Sequence, residues 1–225
     1  MIADEAAALA WLEQLPGFDS AAKARAERLV AMLKEENEHQ NLVSSGSLAE
    51  VWRRHIVDSA QLLTHVTWPD VSRETSGPWL DMGTGAGFPG LVIALMRPEM
   101  PVWMVESRAR RVDWLQRVCD DLDLKQAKVI GSRLELVESQ AVSVISARAF
   151  APLPRLLELS ARFSTKATAW LLPKGRSAGQ ELAELTGWQH MFHVEPSITD
   201  GEAGIIMGHL EGPADGKKRA KSKRA

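Results

Sequence analysis

The stretch from Trp79 to Gly90, WLDMGTGAGFPG, places four glycines directly behind a short apolar run. The run from Trp79 to Met82 is typical of a buried strand. Leu91 to Met96, which follows the glycines and ends before Pro98, is typical of a helix. A strand, a glycine turn and a helix in this order bring backbone N–H groups close to a ligand. Asp81, at the end of the predicted strand, is expected to face the same crevice with its carboxylate. A plain turn needs one or two glycines rather than four, so the stretch predicts a binding site.

Two classes of cofactor use such a turn. The segment Gly85–Gly90 matches the Gly-x-Gly-x-x-Gly fingerprint of dinucleotide sites, but it begins later after the strand than that fingerprint should. The spacing Asp-x-Gly-x-Gly-x-Gly over 81–87 begins at the strand end and resembles the first motif of S-adenosylmethionine (SAM) methyltransferases. Glu106 ends the next predicted strand, where an acidic side chain accepts hydrogen bonds from ribose hydroxyls in either class. These residues predict a nucleoside site and leave the choice of cofactor open.

Composition limits the class of protein. The 225 residues carry a net charge of −2, and Cys119 is the only cysteine, so no disulfide forms within the chain. No run of about 18 apolar residues or signal pattern is visible, which predicts a soluble cytoplasmic protein without a membrane partner. Six Lys or Arg residues lie between Lys217 and Ala225, which leaves −8 for the rest of the chain. This tail is either disordered or contacts phosphates.

The first part of the chain has the periodicity of helices. Helices are predicted over 4–15 and 20–39, and the spacing Ser47-x-x-Glu50 predicts a capping box that opens a third. Residues 1–63 are therefore expected to form a helical region beside the main fold. A connector rich in Pro, Ser and Thr follows at 64–78.

Strands and helices alternate after the connector. The predicted strands are 79–82, 102–106, 127–131, 141–146 and 167–172, with a final pair near 191–194 and 204–210. Alternation predicts a parallel sheet that binds ligands at the carboxyl ends of its strands. The expected fold class is α/β, with a seven-stranded, mostly parallel sheet and an N-terminal helical appendage. Five parallel strands plus a terminal pair is the arrangement of the Rossmann-like class I SAM-dependent methyltransferases, which favours SAM as the cofactor. The SAM-binding core is expected to span 79–212, with a tail at 213–225.

Three basic residues follow successive predicted strands. Arg133 comes after the third, Arg148 after the fourth and Lys174 after the fifth, so they are predicted to form a cationic rim suited to a polyanion. His55 is either an ordinary histidine at the edge of the core or, if its helix lies against the mouth of the cofactor site, a functional one. The scattered histidines and single cysteine give no metal-binding pattern, so no metal is expected.

Several motifs together resemble the bacterial RsmG family, also called glucose-inhibited division protein B. They are Asn41-Leu42, Arg54 to Ser59, Leu80 to Gly90, Arg110 to Val112, Ser132-Arg133, Arg148 to Phe150 and Pro173 to Gly175. The resemblance implies a 16S ribosomal RNA (guanine-N7)-methyltransferase that acts at guanine 527 and has 16S RNA or the small ribosomal subunit as its partner. The family often has aromatic residues where this chain has Glu36 and Gln40, which weakens a stacking role for that helix.

The resemblance also implies a set of cofactor-binding residues. SAM, with S-adenosylhomocysteine as its product, would be bound by Gly83, Gly85, Phe88, Leu134, Glu135 and Arg148. The residues themselves predict that Glu106 holds the ribose and that Leu134 flanks the adenine.

The predicted chemistry needs no base, because N7 of guanine has a free lone pair. Direct in-line transfer depends on positioning. Arg148, Lys174 and Arg133 are predicted to orient RNA or cofactor without transferring a proton, in a protein expected to be a monomer. Three alternatives stay open: a SAM enzyme acting on a small molecule or protein, a nicotinamide oxidoreductase, and a nucleotide-binding module without activity.

Overall fold

The structure, a computed structural model, describes residues 1–66 and 77–214. Most of the predicted connector at 64–78 and of the predicted tail at 213–225, with its basic cluster, lies outside the described residues. Within the described ranges, no helix is both long enough and apolar enough to cross a bilayer.

The N-terminal region is helical, as predicted. Its first helices are α1 (Glu5–Leu12), α2 (Ser20–Asn37) and α3 (Ser45–Ala49). An aspartate begins each of the first two, since Asp4 accepts a hydrogen bond from the N–H of Ala7 and Asp19 accepts one from the N–H of Ala22, both at 2.8 Å. Such caps satisfy N–H groups that have no partner within the helix.

The predicted capping box at Ser47 does not form. Ser44 is the N-cap of α3 and its hydroxyl accepts from the N–H of Ser47 at 3.2 Å, so Ser47 lies inside the first turn. Glu50 ends α3 instead and forms an ion pair with Arg53. A capping box requires the serine at the N-cap, and the earlier serine takes that place.

The helical path beyond α3 changes its winding. A π-helical turn (Trp52–Val57) leads into α4 (Asp58–Ala60) and a 3₁₀ turn (Gln61–His65). The carboxylate of Glu5 in α1 accepts from the N–H groups of Trp52 and Arg53 at 3.0 and 2.8 Å, which caps this segment from another helix. π-Turns are uncommon and occur often at functional sites.

The sheet has the predicted class of topology. The strands are β1 (Trp79–Met82), β2 (Val102–Glu106), β3 (Ala127–Gly131), β4 (Val144–Ser146), β5 (Ala169–Lys174), β6 (Trp188–His190), β7 (His193–Pro196), β8 (Gly204–Gly208) and β9 (Leu210–Pro213). Seven of them form one sheet in the order β3-β2-β1-β4-β5-β8-β7, in which β1 to β5 are parallel to one another and β8 is antiparallel to both of its neighbours, β5 and β7. The mostly parallel seven-stranded fold is thereby confirmed. A second small sheet, β6 with β9, was not predicted.

The remaining helices are α5 (Gly90–Met96), α6 (Ala109–Asp121), α7 (Leu153–Ser160) and α8 (Ala178–Ala183), with 3₁₀ turns at Leu134–Leu136 and Ala161–Phe163. Helices cover both faces of the sheet. Trp79 of β1 packs in the same apolar cluster as Leu29 of α2, whereas its neighbour Leu80 packs with Trp170 in a second cluster. The N-terminal helices therefore cover one face of the sheet, and ligand access falls to the strand ends.

Both β4 and β5 start later than predicted, and β5 also ends later. The buried side chains of Ser143 and Thr168 donate to the carbonyls of Pro78 and Val142, so just before β4 and β5 begin these residues bond to the segments that precede the neighbouring strands. At its other end β5 continues to Lys174, which pairs with Gly204 of the antiparallel strand β8. Lys174, which was predicted to follow β5, is thus the last residue of that strand.

Candidate functional site

The glycine turn after β1 has the backbone that glycine alone adopts readily. Gly83, Gly85 and Gly87 have φ values of 63°, 62° and 107°, in the left-handed region. The N–H of Gly85 donates to Oε2 of Glu106 at 3.1 Å, which ties the turn to the end of β2. The predicted strand, glycine turn and helix are therefore present in that order.

Asp81 does not face the crevice as its place at the strand end predicted. Its side chain is 0% exposed, with Oδ2 accepting from the N–H of Gly90 at 3.0 Å and Oδ1 from the hydroxyl of Ser146 at 2.8 Å. Burial raises the pKa of this carboxyl, and the hydrogen bonds oppose that shift. Asp81 therefore fastens the start of α5 to the sheet.

A cavity of about 300 Å³, here called the small cavity, lies at the carboxyl ends of β1, β2 and β3. Its lining includes five of the residues predicted from the sequence: Gly83, Glu106, Arg133, Leu134 and Glu135. The side chain of Leu134 is only 3% exposed and gives the cavity an apolar wall. The predicted adenosine residues therefore share one cavity, and Gly85 lies beside it.

Backbone donors hold the carboxylate of Glu106. Oε1 accepts from the N–H groups of Ser107 and Arg108 at 2.7 and 2.9 Å, and Oε2 accepts from Gly85. The guanidinium of Arg111 lies 3.9 Å from Oε2. A carboxylate accepts about four hydrogen bonds, so Glu106 is fixed in place and keeps some capacity for a hydroxyl.

Arg133 lies on the rim of the small cavity. Its side chain is 71% exposed and pairs with Glu135 at 3.1 Å, while Arg155 lies 3.8 Å from the same carboxylate oxygen. Arg133 is thus separated from the other two basic residues with which it was predicted to converge.

A second cavity of about 710 Å³, the large cavity, lies on the other side of the β4 end. Residues far apart in the chain line it, among them Arg54, His55, Asp58, Arg148, Lys174, Glu181 and Thr199. Arg148 and Lys174 therefore share this cavity, and among the residues that the structure describes only Ala149 and Phe150 line both cavities.

Arg148 is held by the N-terminal helical segment. Its guanidinium donates to Oδ2 of Asp58 at 3.1 Å, to the carbonyl of Arg54 at 3.2 Å and to Nδ1 of His55 at 3.0 Å. Asp58 also accepts from the hydroxyl of Thr199 at 2.8 Å. Asp58 and Arg148 thereby connect three segments of the chain, near residues 55, 148 and 199.

Lys174 is held in a similar way. Its Nζ donates to Oε2 of Glu181 and to the carbonyl of Ala151, both at 2.8 Å, and its side chain is 9% exposed. The predicted cationic rim is therefore corrected, because Lys174 and Arg148 each face a carboxylate. Partly buried cations require such partners, since desolvation without one is costly.

His55 lines the large cavity and not the small cavity that contains most of the predicted cofactor residues, so a functional His55 stays a prediction. Its ring is 6% exposed and stacks on Phe88 with centroids 4.8 Å apart, and the guanidinium of Arg148 lies 5.3 Å from the same Phe88 ring. Burial, together with the charges of Arg148 and Arg54, lowers the pKa of His55 to about 3. Phe88 is itself 2% exposed and lines neither cavity, so its ring supports His55 and Arg148 from behind.

The tautomer of His55 follows from its partner. A guanidinium only donates, so Nδ1 accepts and the proton of the neutral ring is on Nε2. Nε2 is buried and has no hydrogen-bond partner among the described residues. The sequence signal for this cluster was the motif Arg54-His55-Ile-Val-Asp58, whereas the contact of Asp58 with Thr199 had no local signal.

Among the described residues, no group of three or more His, Cys, Asp or Glu side chains is arranged to hold a metal ion. That no metal takes part stays a prediction.

Comparison with known proteins identifies the family. The model of the GidB family, rRNA small subunit methyltransferase G, matches residues 22–200. A ribosomal RNA small subunit methyltransferase G from Erythrobacter litoralis is 58% identical over 92% of this chain and 97% of its own length. The protein of the same name from Novosphingobium aromaticivorans is 57% identical over 92% of this chain and 88% of its own length.

Solved structures show the same fold at low identity. A methyltransferase from Geobacter sulfurreducens aligns with a TM-score of 0.55 at 14% identity, over 94% of this chain and 98% of that one. A mutant of MtNAS in complex with S-adenosylmethionine aligns with a TM-score of 0.55 at 17% identity, over 84% of this chain and 76% of that one. The glycine turn, the sheet order and these matches agree, and the chain belongs to the rRNA small subunit methyltransferase G family.

Proposed function

We propose that this protein transfers a methyl group from SAM directly, in line, to N7 of guanine 527 in 16S ribosomal RNA. The small cavity would hold the adenosine part of the cofactor and the large cavity would receive the guanine. The observation that carries the proposal is the common wall at Ala149 and Phe150, which places the two cavities next to each other at the strand ends. Family membership supports the RNA substrate.

The residues of the small cavity fit SAM. Glycines with left-handed φ leave the backbone open beside the cavity, and Glu106 offers fixed carboxylate oxygens suited to ribose hydroxyls. Leu134 offers an apolar surface suited to adenine. A volume of about 300 Å³ lies within the range of small-ligand sites. When bound, SAM supplies an electrophilic methyl group.

The protein's own part is to position the acceptor and exclude water. Guanine N7 already carries a lone pair, so the site needs no base. Holding the two reactants in the correct geometry can remove much of the activation barrier. His55, with its pKa lowered to about 3, is too weak a base to serve as one near neutral pH. Arg148, fixed by Asp58 and His55, would form the rigid wall against which the base is oriented.

The test uses small ribosomal subunits, and in parallel naked 16S RNA, from a strain that lacks this gene. The purified protein and methyl-labelled SAM should add about one methyl group per RNA molecule, located by mass mapping at N7 of guanine 527. Transfer to a different base, or to ribosomal protein, would contradict the proposal. A parallel titration with SAM and with NAD separates it from the nicotinamide alternative, which requires NAD to bind more tightly.

A further inference from the structure

The loop after β4 places one aromatic side chain between the two cavities. Among the described residues that line either cavity, Phe150 is the single phenylalanine or tryptophan, and the chain contains no tyrosine. The other aromatic ring in the lining, His55, already has Phe88 stacked on it. Phe150 therefore offers the site's available aromatic surface.

Phe150 covers the glycine turn directly. A Cβ atom added to Gly83 would come within 2.3 Å of Cδ2 of the Phe150 ring, so any side chain at Gly83 would collide with that ring. The ring is only half-buried although it packs against the backbone at this point. It therefore forms part of the wall that the small and the large cavity share.

The backbone around Phe150 is fixed at both ends. Arg148 is anchored to Asp58 and His55, and the carbonyl of Ala151 accepts from Lys174. Between these anchors Ala149 has a φ of 51°, in the left-handed region that a residue with a Cβ adopts rarely. Such strain persists where the surroundings enforce it, and functional sites are where it clusters. The two cations of the large cavity thus hold the turn that presents Phe150.

We propose that Phe150 is a substrate-stacking residue whose ring packs on the target guanine and holds it beside the methyl donor. This inference rests on the proposed function and deepens it. Proteins that recognise splayed-out RNA bases commonly stack them on aromatic side chains. Arg148 and Lys174 then act as positioning residues, because they fix the loop that carries the ring.

The experiment compares Phe150→Leu and Phe150→Trp with the wild type. For each protein it measures the Kd for SAM, the affinity of the S-adenosylhomocysteine complex for small subunits, and kcat/KM for methyl transfer to those subunits. Loss of one stacked base should lower both the affinity and kcat/KM of Phe150→Leu by roughly 10- to 100-fold. Phe150→Trp should keep most of the wild-type subunit affinity and kcat/KM, because its ring can also stack. The Kd for SAM should be unchanged in both variants.

Phe192→Leu is the matched control, since Phe192 lines neither cavity. It should keep the wild-type affinity and kcat/KM, and thermal unfolding of all three variants identifies any loss of folding. Wild-type kcat/KM in Phe150→Leu, or a loss that Phe150→Trp does not restore, would overturn the stacking role. Loss of SAM affinity with normal subunit affinity would overturn it too, since Phe150 would then serve the cofactor. If the wild type transfers no methyl group, the proposed function fails, while subunit affinity still tests Phe150.

Discussion

The two cavities are built in different ways. The small cavity is formed by the ends of neighbouring strands and the turns that follow them, and its central carboxylate, Glu106, is held by backbone N–H groups close to it in space. The large cavity joins segments that are far apart in the chain, and each of its cations Arg148 and Lys174 is held by a carboxylate side chain as well as by a backbone carbonyl. Arg148, for example, lies 90 residues from its partner Asp58.

This difference separates two kinds of specificity. A backbone cradle needs only the right strand order and glycines, so it suits a cofactor that many proteins share. A cluster of side chains from distant segments depends on the whole fold and suits a substrate particular to one family. Variants in the two cavities should accordingly affect different steps, cofactor binding in the small one and methyl transfer in the large one.

Arg148→Ala should have the largest effect. The change removes three hydrogen bonds and leaves Asp58 and His55 without their cation, so the loop that follows loses its anchor. Misplacement of a substrate by about 1 Å can cost roughly 100-fold, and we expect a loss of methyl transfer at least that large. The protein should stay folded, with a loss of about 1–3 kcal/mol in the free energy of unfolding.

Labelled methyl transfer to small subunits and urea unfolding measure these two effects. Arg28→Ala is the matched control, because Arg28 pairs with Asp121 at the surface and lines neither cavity. If Arg148→Ala kept full activity, Arg148 would have no role in the reaction.

Glu106→Ala should weaken cofactor binding more than any step after it. The change removes a proposed ribose partner and frees the N–H of Gly85, so the glycine turn loses its tie to β2. Hydrogen bonds to a charged group contribute about 1.5–3 kcal/mol, which corresponds to a roughly 10- to 100-fold rise in the Kd for SAM. Calorimetric titration measures this Kd, with Glu13→Ala as a surface control. If the rate of methyl transfer at saturating SAM fell by the same factor, Glu106 would also act after cofactor binding, which would contradict the assignment of the small cavity to cofactor binding.

The sequence predicted part of the small cavity because the signals there are local, but Phe88 and Arg148, which were also predicted to bind SAM, do not line it. The glycine turn, the acid at the end of β2 and Leu134 after β3 each follow from the order of strands. The prediction for Asp81 was wrong because a carboxylate at a strand end can bind either a ligand or the protein itself. Here its two oxygens accept hydrogen bonds from the N–H of Gly90 and the hydroxyl of Ser146.

The large cavity itself was not predicted from the sequence, since its contacts cross the chain. A single sequence places Arg148 and Lys174 at one edge of the sheet, but it gives no sign that Asp58 and Glu181 neutralise them. The same limit applies to the helical region, where the first serine that can cap takes the cap and a carboxylate from α1 starts the next turn. Several side chains can cap the same backbone N–H groups, and helix propensity alone does not predict which of them does so.

His55→Gln should alter how stability depends on pH. The folded-state pKa of His55 is lowered from 6.5 to about 3, so its contribution is fully present above pH 6.5 and is lost as the pH falls toward 3. Between pH 7.5 and 5.5 the wild type should therefore lose about 1.4 kcal/mol from this residue, since each pH unit below the unfolded pKa costs about that much. Urea unfolding at the two pH values should show this difference in the wild type and in His39→Gln, but not in His55→Gln. A His55→Gln variant with the wild-type slope would mean that the ring is not held neutral.

Arg133→Ala should have the smallest effect, although the sequence predicted the same role for Arg133 as for Arg148 and Lys174. The side chain is 71% exposed and its partner Glu135 also has Arg155 within 3.8 Å, so the carboxylate keeps a cation after the change. Exposed ion pairs contribute about 0–1 kcal/mol, which limits the expected rise in the Kd for SAM to about fivefold. The measurement is SAM titration at about 50 and 300 mM salt, where screening should shrink the difference further. A large, salt-independent loss of methyl transfer at saturating SAM would place Arg133 with the acceptor and break the assignment of the small cavity to the cofactor alone.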